Sequence, residues 1–398
     1  MSGLELAAPA KNQPILRFEG GEHTAIGDDT LLRFAKDAPA IPARQVELHL
    51  PNGLALTYGQ VIALGGDFYG IPGQPISDGA SPTDRVQRFT AAFNSLAVLP
   101  ASREEARKIL AVMQKEINAV NQAIRDGKQA HEAYDALGDT LSEEWNRITG
   151  GGSVVSALVP LGRYLKLAAD NADHFGEWAL AAYLAGHTAA LQQAVVAHQT
   201  GTDQALELAY AMNSFADHFL TDLFSAGHLR VPRKQLAAVV TPGELGSLIS
   251  RFMHDEDSKF GLKVRNALGD QWHAYGDKRY FDAIDADNRV QVKRAVQASP
   301  MNTSNDKINA SAQNAVRPSH CRLRYPAFDQ GFINLADSAL LQGNHQLLHL
   351  FGQQGRAVEL NHQQAAMHLM NAGQALLQWR RHRTSAHRAA RHGYRRRR

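Results

Sequence analysis

Between Ser102 and Ile148 the apolar residues Ile109, Val112, Met113, Ile117 and Val120 recur three to four positions apart, with charged residues between them. That period lays one apolar stripe along a helix and predicts helix over most of 102–148. Ser102-x-x-Glu105 reads as a capping box at its start. Gly150–Gly151–Gly152–Ser153 then breaks the pattern. A second helical block, rich in Ala and Leu, is expected from about Val154 to Phe224, and a third over roughly Pro242 to Asn266. Strand signals are few. Short β-prone pieces surround Pro51–Asn52–Gly53 between Leu48 and Leu64, and the run GGDFYGIPG, Gly65 to Gly73, allows tight turns. The body therefore reads as mainly α, with no internal repeat.

The character of the chain changes near residue 300. Met301 to Pro318 is polar and poor in large apolar residues, and beyond Asp329 only Asp337 and Glu359 are acidic. We read 1–300 as a helical domain and 301–398 as a C-terminal extension. Net charge sharpens the division. The formal +3 hides nine arginines between Arg380 and Arg398; without them the chain has 33 basic against 39 acidic residues, about −6. Such a tail could touch nucleic acid or an anionic membrane, but a solvated, disordered end is the expected reading.

Composition excludes several classes. Apolar residues make up 44% and charged residues 20%, enough for a sizeable core. There is no 18-residue apolar run, so a spanning helix is not expected. The first residues, MSGLELAAPAKNQP, lack a basic segment followed by an apolar one, so no Sec-type signal is expected; the location is cytoplasmic, or outside by a signal-independent route. One cysteine, Cys321, excludes an internal disulfide framework and a four-cysteine zinc site. No GxxxxGK[ST] phosphate loop is present. With 18 histidines, a metal site would be built from His, Asp and Glu.

The strongest chemical signal is SFADHFLTDLFSAGH, Ser214 to His228. His218 and Asp222 are four apart and share a helix face, and His228 follows six residues later. Imidazole and carboxylate suit a borderline divalent metal such as zinc. The flanking Phe215, Phe219, Leu220, Leu223 and Phe224 are apolar, so a charged Asp222 among them needs compensation, which a metal supplies. Other candidates have blander readings. His187 reads as a packed or surface helix residue, Glu177, at i+3 from His174, equally as a support for that histidine or a solvated helix charge, Asp173 as a solvated neighbour, and Asp217 as a helix carboxylate facing away from the site. His345 and His349 form an i, i+4 pair with few acids nearby.

His218-x3-Asp222-x5-His228 resembles the signature of the bacterial zinc-dependent phospholipases C, relatives of the P1-type nucleases with an almost wholly helical fold. ADNADHF resembles the segment carrying another zinc histidine, here His174. GGDFYG resembles the one supplying an earlier carboxylate, Asp67. FMHDEDSKFGL resembles the last zinc-binding helix, with His254, and GEHTAIGD places His23 where the family has an N-terminal zinc histidine. The likeness covers roughly 20–285. It implies two or three Zn2+ ions. Asp67, His174, His218 and Asp222 would hold the first; His228, His254 and a following carboxylate the second; His23 and Asp222 the third, with Asp222 bridging. The family carries its last carboxylate four residues after the histidine, where this chain has Ser258. Asp257, at i+3, shares the face and is expected as the ligand over Glu256. No Trp precedes His23, whereas mature family members ligate a zinc with an N-terminal Trp.

The resemblance implies a phospholipase C that hydrolyses phosphatidylcholine at a membrane surface to diacylglycerol and phosphocholine by metal-activated water, with no stable protein partner. Asp67 would also assist as base. Phe68, directly after it, would face the choline through its π cloud; the plain alternative is a core aromatic. A P1-like single-strand nuclease uses the same metals, but the chain shows no basic, aromatic-interleaved stripe. A non-catalytic membrane- or nucleic-acid-binding protein on the same scaffold is the third reading, which the joint presence of five His and Asp ligands disfavours.

Overall fold

A computed structural model describes residues 20–301 apart from 36–37, 139, 153–160, 170–171, 235, 237–242 and 266–269, together with 327–328. The chain is mainly helical, as its periodicity implies. The helices are α1 (Gly20–Asp28), α2 (Tyr58–Leu64), α3 (Pro82–Ala97), α4 (Pro100–Arg125), α5 (Ala130–Leu137), α6 (Thr140–Ile148), α7 (Arg163–Ala169), α8 (Gly176–Thr200), α9 (Asp203–Asp222), α10 (Ala226–Leu229), α11 (Gly243–Phe260) and α12 (Ala286–Met301). The strands are short and antiparallel: β1 (Leu31–Leu32) with β2 (Ile41–Pro42), β3 (Leu48–His49) with β4 (Ala55–Leu56), and a three-stranded sheet ordered β6 (Gln271–Ala274), β5 (Leu262–Arg265), β7 (Ala327–Phe328). No helix of the described residues is long and apolar enough to cross a membrane.

The centre is the hairpin of α8 and α9. Alanine and leucine give α8 high helix propensity, and Gly201, with φ 64, closes it in the left-handed conformation before α9 begins. Small residues let the helices approach closely. A Cβ on Gly186 would stand 2.5 Å from Ala216 Cβ and 2.3 Å from Phe89, so α3 also packs here. Phe89, Phe93, Phe215 and Phe219 fill the space around the crossing, and the two Phe–Phe pairs on Phe215 meet edge to face.

Several boundaries differ from the expected ones. Helix α4 starts at Pro100 rather than Ser102: proline fits the first helical position, and the Ser102 hydroxyl donates to the Ser95 carbonyl at 2.6 Å instead of capping. The β-prone stretch divides. β3 and β4 pair across Asn52–Gly53, but Tyr58–Leu64 is helix, started by a Thr57/Gln60 capping box. The third block stops at Phe260, where Gly261, at φ 71, turns the chain into β5. Of the C-terminal extension, Ala327–Phe328 pairs with Val264–Arg265. Cys321, His345, His349 and Arg380–Arg398 lie outside the described residues.

Candidate metal centre

Helix α9 ends in the protein interior, and its last turn carries His218 and Asp222, both almost fully buried. Four imidazoles reach the two oxygens of Asp222. His174 Nδ1 lies 2.9 Å and His218 Nε2 3.6 Å from Oδ2; His228 Nδ1 lies 3.4 Å and His23 Nε2 3.8 Å from Oδ1. They come from four places in the chain: α9 itself, a 3-10 turn at Ala172–His174 ahead of α8, α10, and α1. Gly66 makes room for them. It has φ 67, and a Cβ there would lie 2.4 Å from His218 Cδ2 and 3.0 Å from His174 Cε1. Bare backbone thus crosses the two rings and delivers Asp67, whose carboxylate lies within 4.8 Å of ring nitrogens of His23 and His218.

Hydrogen bonds on the outer nitrogens fix which atom faces inward. His218 Nδ1 donates to the Ile62 carbonyl at 3.0 Å, so its Nε2 is bare towards the cluster. The Thr221 hydroxyl donates back to the helix carbonyls of His218 (2.7 Å) and Asp217 (3.0 Å). Its lone pair therefore accepts His23 Nδ1–H at 2.9 Å, and the Nε2 of His23 points inward as well. His254 gives Nδ1–H to Asp255 at 3.0 Å and turns Nε2 in. An outer acceptor on each ring, with the other nitrogen directed at a shared point, is how proteins orient metal-ligating histidines.

A second group adjoins the first through His228. His254 Nε2 lies 3.1 Å from His228 Nε2 and 3.0 Å from Asp277 Oδ2. Asp277 sits in the loop after β6, and sequence reasoning missed it: a Gly–Asp pair in a turn carries no periodic signal. The acid expected there, Asp257, is not in the group. It is fully buried and accepts from Nε and Nη2 of Arg230, each at 2.6 Å. At i+3 it shares a side of α11 with His254 but faces α10 rather than the histidine cluster.

Other expected roles also change. Phe68 is 2% exposed, its ring stacked on Tyr164 at 5.1 Å and edge-on to Trp145 at 5.3 Å, so it is a core aromatic closed to a ligand. Asp173 is buried rather than solvated; its carboxylate accepts the backbone N–H groups of Ile76 and Ser77. Asp217 is buried too, accepting from Tyr58 Oη and Ser299 Oγ, each at 2.6 Å, and from Asn213 Nδ2. His187 is a packed residue bonded to Asn213. Glu177 is exposed.

Electrostatics favour a cation here. Burial would raise Asp222 and Asp277, yet facing imidazoles hold both well below the usual carboxylate range: His218, His228 and His174 for Asp222, His254 and His228 for Asp277. Burial lowers His23 and His218, consistent with neutral ligands. Against the same burial, the charge of Asp222 raises His174 to about 9, and Asp277 with Asp255 raises His254 to about 10. Burial and the charge of Asp222 push Asp67 up to about 6.

The residues fit a metal. Among the described residues three groups could hold an ion: His23, Asp67 and His218; His174, His218 and Asp222; and His228, His254 and Asp277. Two nitrogen pairs stand 3.1 Å apart, His218 Nε2 to His174 Nδ1 and His254 Nε2 to His228 Nε2. Ligands at 2.0–2.1 Å in a tetrahedron stand roughly 3.3 Å apart. His228 Nδ1 is buried without a hydrogen bond, the signature of a group meant for another partner. Comparison with family models, curated proteins and solved structures gave no match to this chain.

Proposed function

We propose that the chain is a zinc-dependent phosphodiester hydrolase of the phospholipase C type. The observation that supports this best is the convergence of five imidazole nitrogens on Asp67, Asp222 and Asp277, with three of the rings fixed from outside by an acceptor. His/Asp donors suit zinc. The ions would be held by His23, Asp67, His174, His218 and Asp222 in one cluster and by His228, His254 and Asp277 beside it. Zinc in such a place lowers the pKa of water and neutralises phosphoryl charge. The chain's own residues then have separable tasks. Asp222, one negative charge among four rings, would offset the repulsion between neighbouring cations. Asp67, beside His23 and His218, takes the proton of the attacking water in addition to holding metal. Oxygen attack on phosphorus breaks the bond to the glycerol oxygen, which takes up that proton and leaves as diacylglycerol, while phosphocholine keeps the new oxygen. The apolar packing of Phe175 and Phe219 on His174 and His228 restricts water around the rings.

The resemblance implies phosphatidylcholine as substrate, although Phe68, the aromatic expected to face choline, is closed in the core. The first substrate to test is therefore phosphatidylcholine, with single-stranded DNA beside it for the nuclease reading. Purified protein is expected to contain two or three zinc ions per chain by elemental analysis. Chelation should abolish release of phosphocholine, and zinc should restore it. Full turnover by metal-free protein would overturn the reading. Turnover of DNA alone would move it to the nuclease.

A further inference from the structure

Helix α11 offers three acids directly after His254, yet none reaches the second metal group. Asp255 is exposed and lies at the outer nitrogen of His254. Glu256, two residues on, is turned about 200° round the helix. Asp257 is committed to Arg230. The remaining position on the face of His254, one turn on, is Ser258, and it is closed from two sides. A Cβ on Gly227 would stand 2.3 Å from Ser258 Oγ, and one on Gly276 2.2 Å from it. Two glycine backbones thus pack directly on this serine, itself only 4% exposed, and leave no path for a longer side chain.

The same close packing brings in the loop that follows β6. Gly276 N–H donates to the Ser258 carbonyl at 3.0 Å, and Ala226 N–H to the Tyr275 carbonyl at 3.1 Å. Tyr275 N–H donates to Asp285 Oδ1, Ser225 Oγ to Asp277 Oδ1 at 2.7 Å, and Lys278 N–H to Glu22 Oε2. The loop therefore touches α1 beside His23, α10 beside His228 and α11 beside His254. Lys278 adopts φ 69, the only positive φ of a non-glycine among the described residues. Such strain persists where surrounding contacts enforce it, and it clusters at ligand clamps.

We infer that Tyr275–Lys278 is a metal-organised clasp: Asp277, and no acid of α11, completes the second metal group, and occupancy of that group holds the β5–β6 hairpin against α10 and α11. This rests on the metal reading above, though not on the reaction or substrate. It makes the firmness of the hairpin's docking depend on metal, because beside those hydrogen bonds one carboxylate joins the strained loop to two histidines on other elements.

The test is hydrogen exchange of the full chain with zinc and with chelator, alongside elemental analysis. In the wild type, chelation is expected to speed exchange across 271–278 by about tenfold or more, with a smaller effect on the α8–α9 hairpin, and zinc should reverse it. Asp277→Asn should bind one zinc fewer per chain and exchange fast in this loop whether or not zinc is present. Asp257→Asn is the contrast: it strands Arg230 and lowers the melting temperature, but keeps the full zinc complement. A wild type that binds zinc while its loop exchanges equally in both conditions overturns the clasp and leaves the metal centre standing. So does loss of zinc from Asp257→Asn with none lost from Asp277→Asn. A wild type that binds no zinc overturns both.

Discussion

Asp222 is the side chain on which the centre turns, since four imidazole nitrogens lie within 3.8 Å of its two oxygens. Asp222→Asn keeps the size and removes the charge, leaving neighbouring cations to repel one another in a poorly hydrated site. The expected outcome is loss of at least one zinc and a fall in turnover of roughly 10²-fold or more. Asp203→Asn, exposed at the start of the same helix, is the control and should change neither. Asp217, which its place on the helix suggests as a silent neighbour, is unsuitable: it is buried under two hydroxyls and an amide. Full zinc content and near-normal turnover in Asp222→Asn would make it an ordinary helix carboxylate. Legibility at this scale follows sequence distance. His218, Asp222 and His228 are readable because one helix and one turn fix their spacing. Asp277 and the burial of Phe68 and Asp217 are decided by contacts between residues far apart, and leave no local pattern.

At the scale of elements, helices are legible from their period, and the connections between them are not. Pro100 and Tyr58 begin helices that apolar spacing alone places elsewhere, because a fixed proline φ and a capping box decide the first turn. The turn after α2 shows what such connections do. Gly66 and Gly73 both have positive φ, at 67 and 74, yet they differ in surroundings. A Cβ on Gly73 meets nothing within 4 Å, whereas one on Gly66 enters the rings of His218 and His174. Each change to Ala costs about 1–2 kcal/mol for the left-handed backbone, so the difference between them isolates the crowding. Gly73→Ala should lose some thermal stability and keep its zinc. Gly66→Ala should lose zinc as well, with helical circular dichroism retained, because the side chain pushes ligand rings rather than the core. Equal zinc content in the two variants would show that the turn does not shape the site.

For the molecule as a whole, charge is the property that composition states and the fold rearranges. The body carries more acids than bases once the terminal arginines are set aside, and several of those acids are buried away from the metal centre. Asp28 is the clearest case for stability. It ties the end of α1 to the start of α2, accepting Gly59 N–H at 3.1 Å, and burial pushes its carboxyl up to about 6. A carboxyl whose native pKa is raised binds its proton more tightly folded than unfolded. Its contribution is fully present below about pH 4 and is lost as pH rises through about 6, by roughly 2–3 kcal/mol in all. Asp28→Asn keeps an acceptor for Gly59 and cannot ionise, so that loss should vanish. The comparison belongs in chelated protein, where acid release of zinc is absent and the cluster's own titrations are common to both chains. Melting temperatures from pH 4 to pH 7.5 should therefore converge in acid, with the variant the more stable of the two near neutrality. Parallel curves across that range would mean that Asp28 stays ionised in the folded chain, its negative charge carried by Gly59 N–H and the Thr57 hydroxyl despite burial.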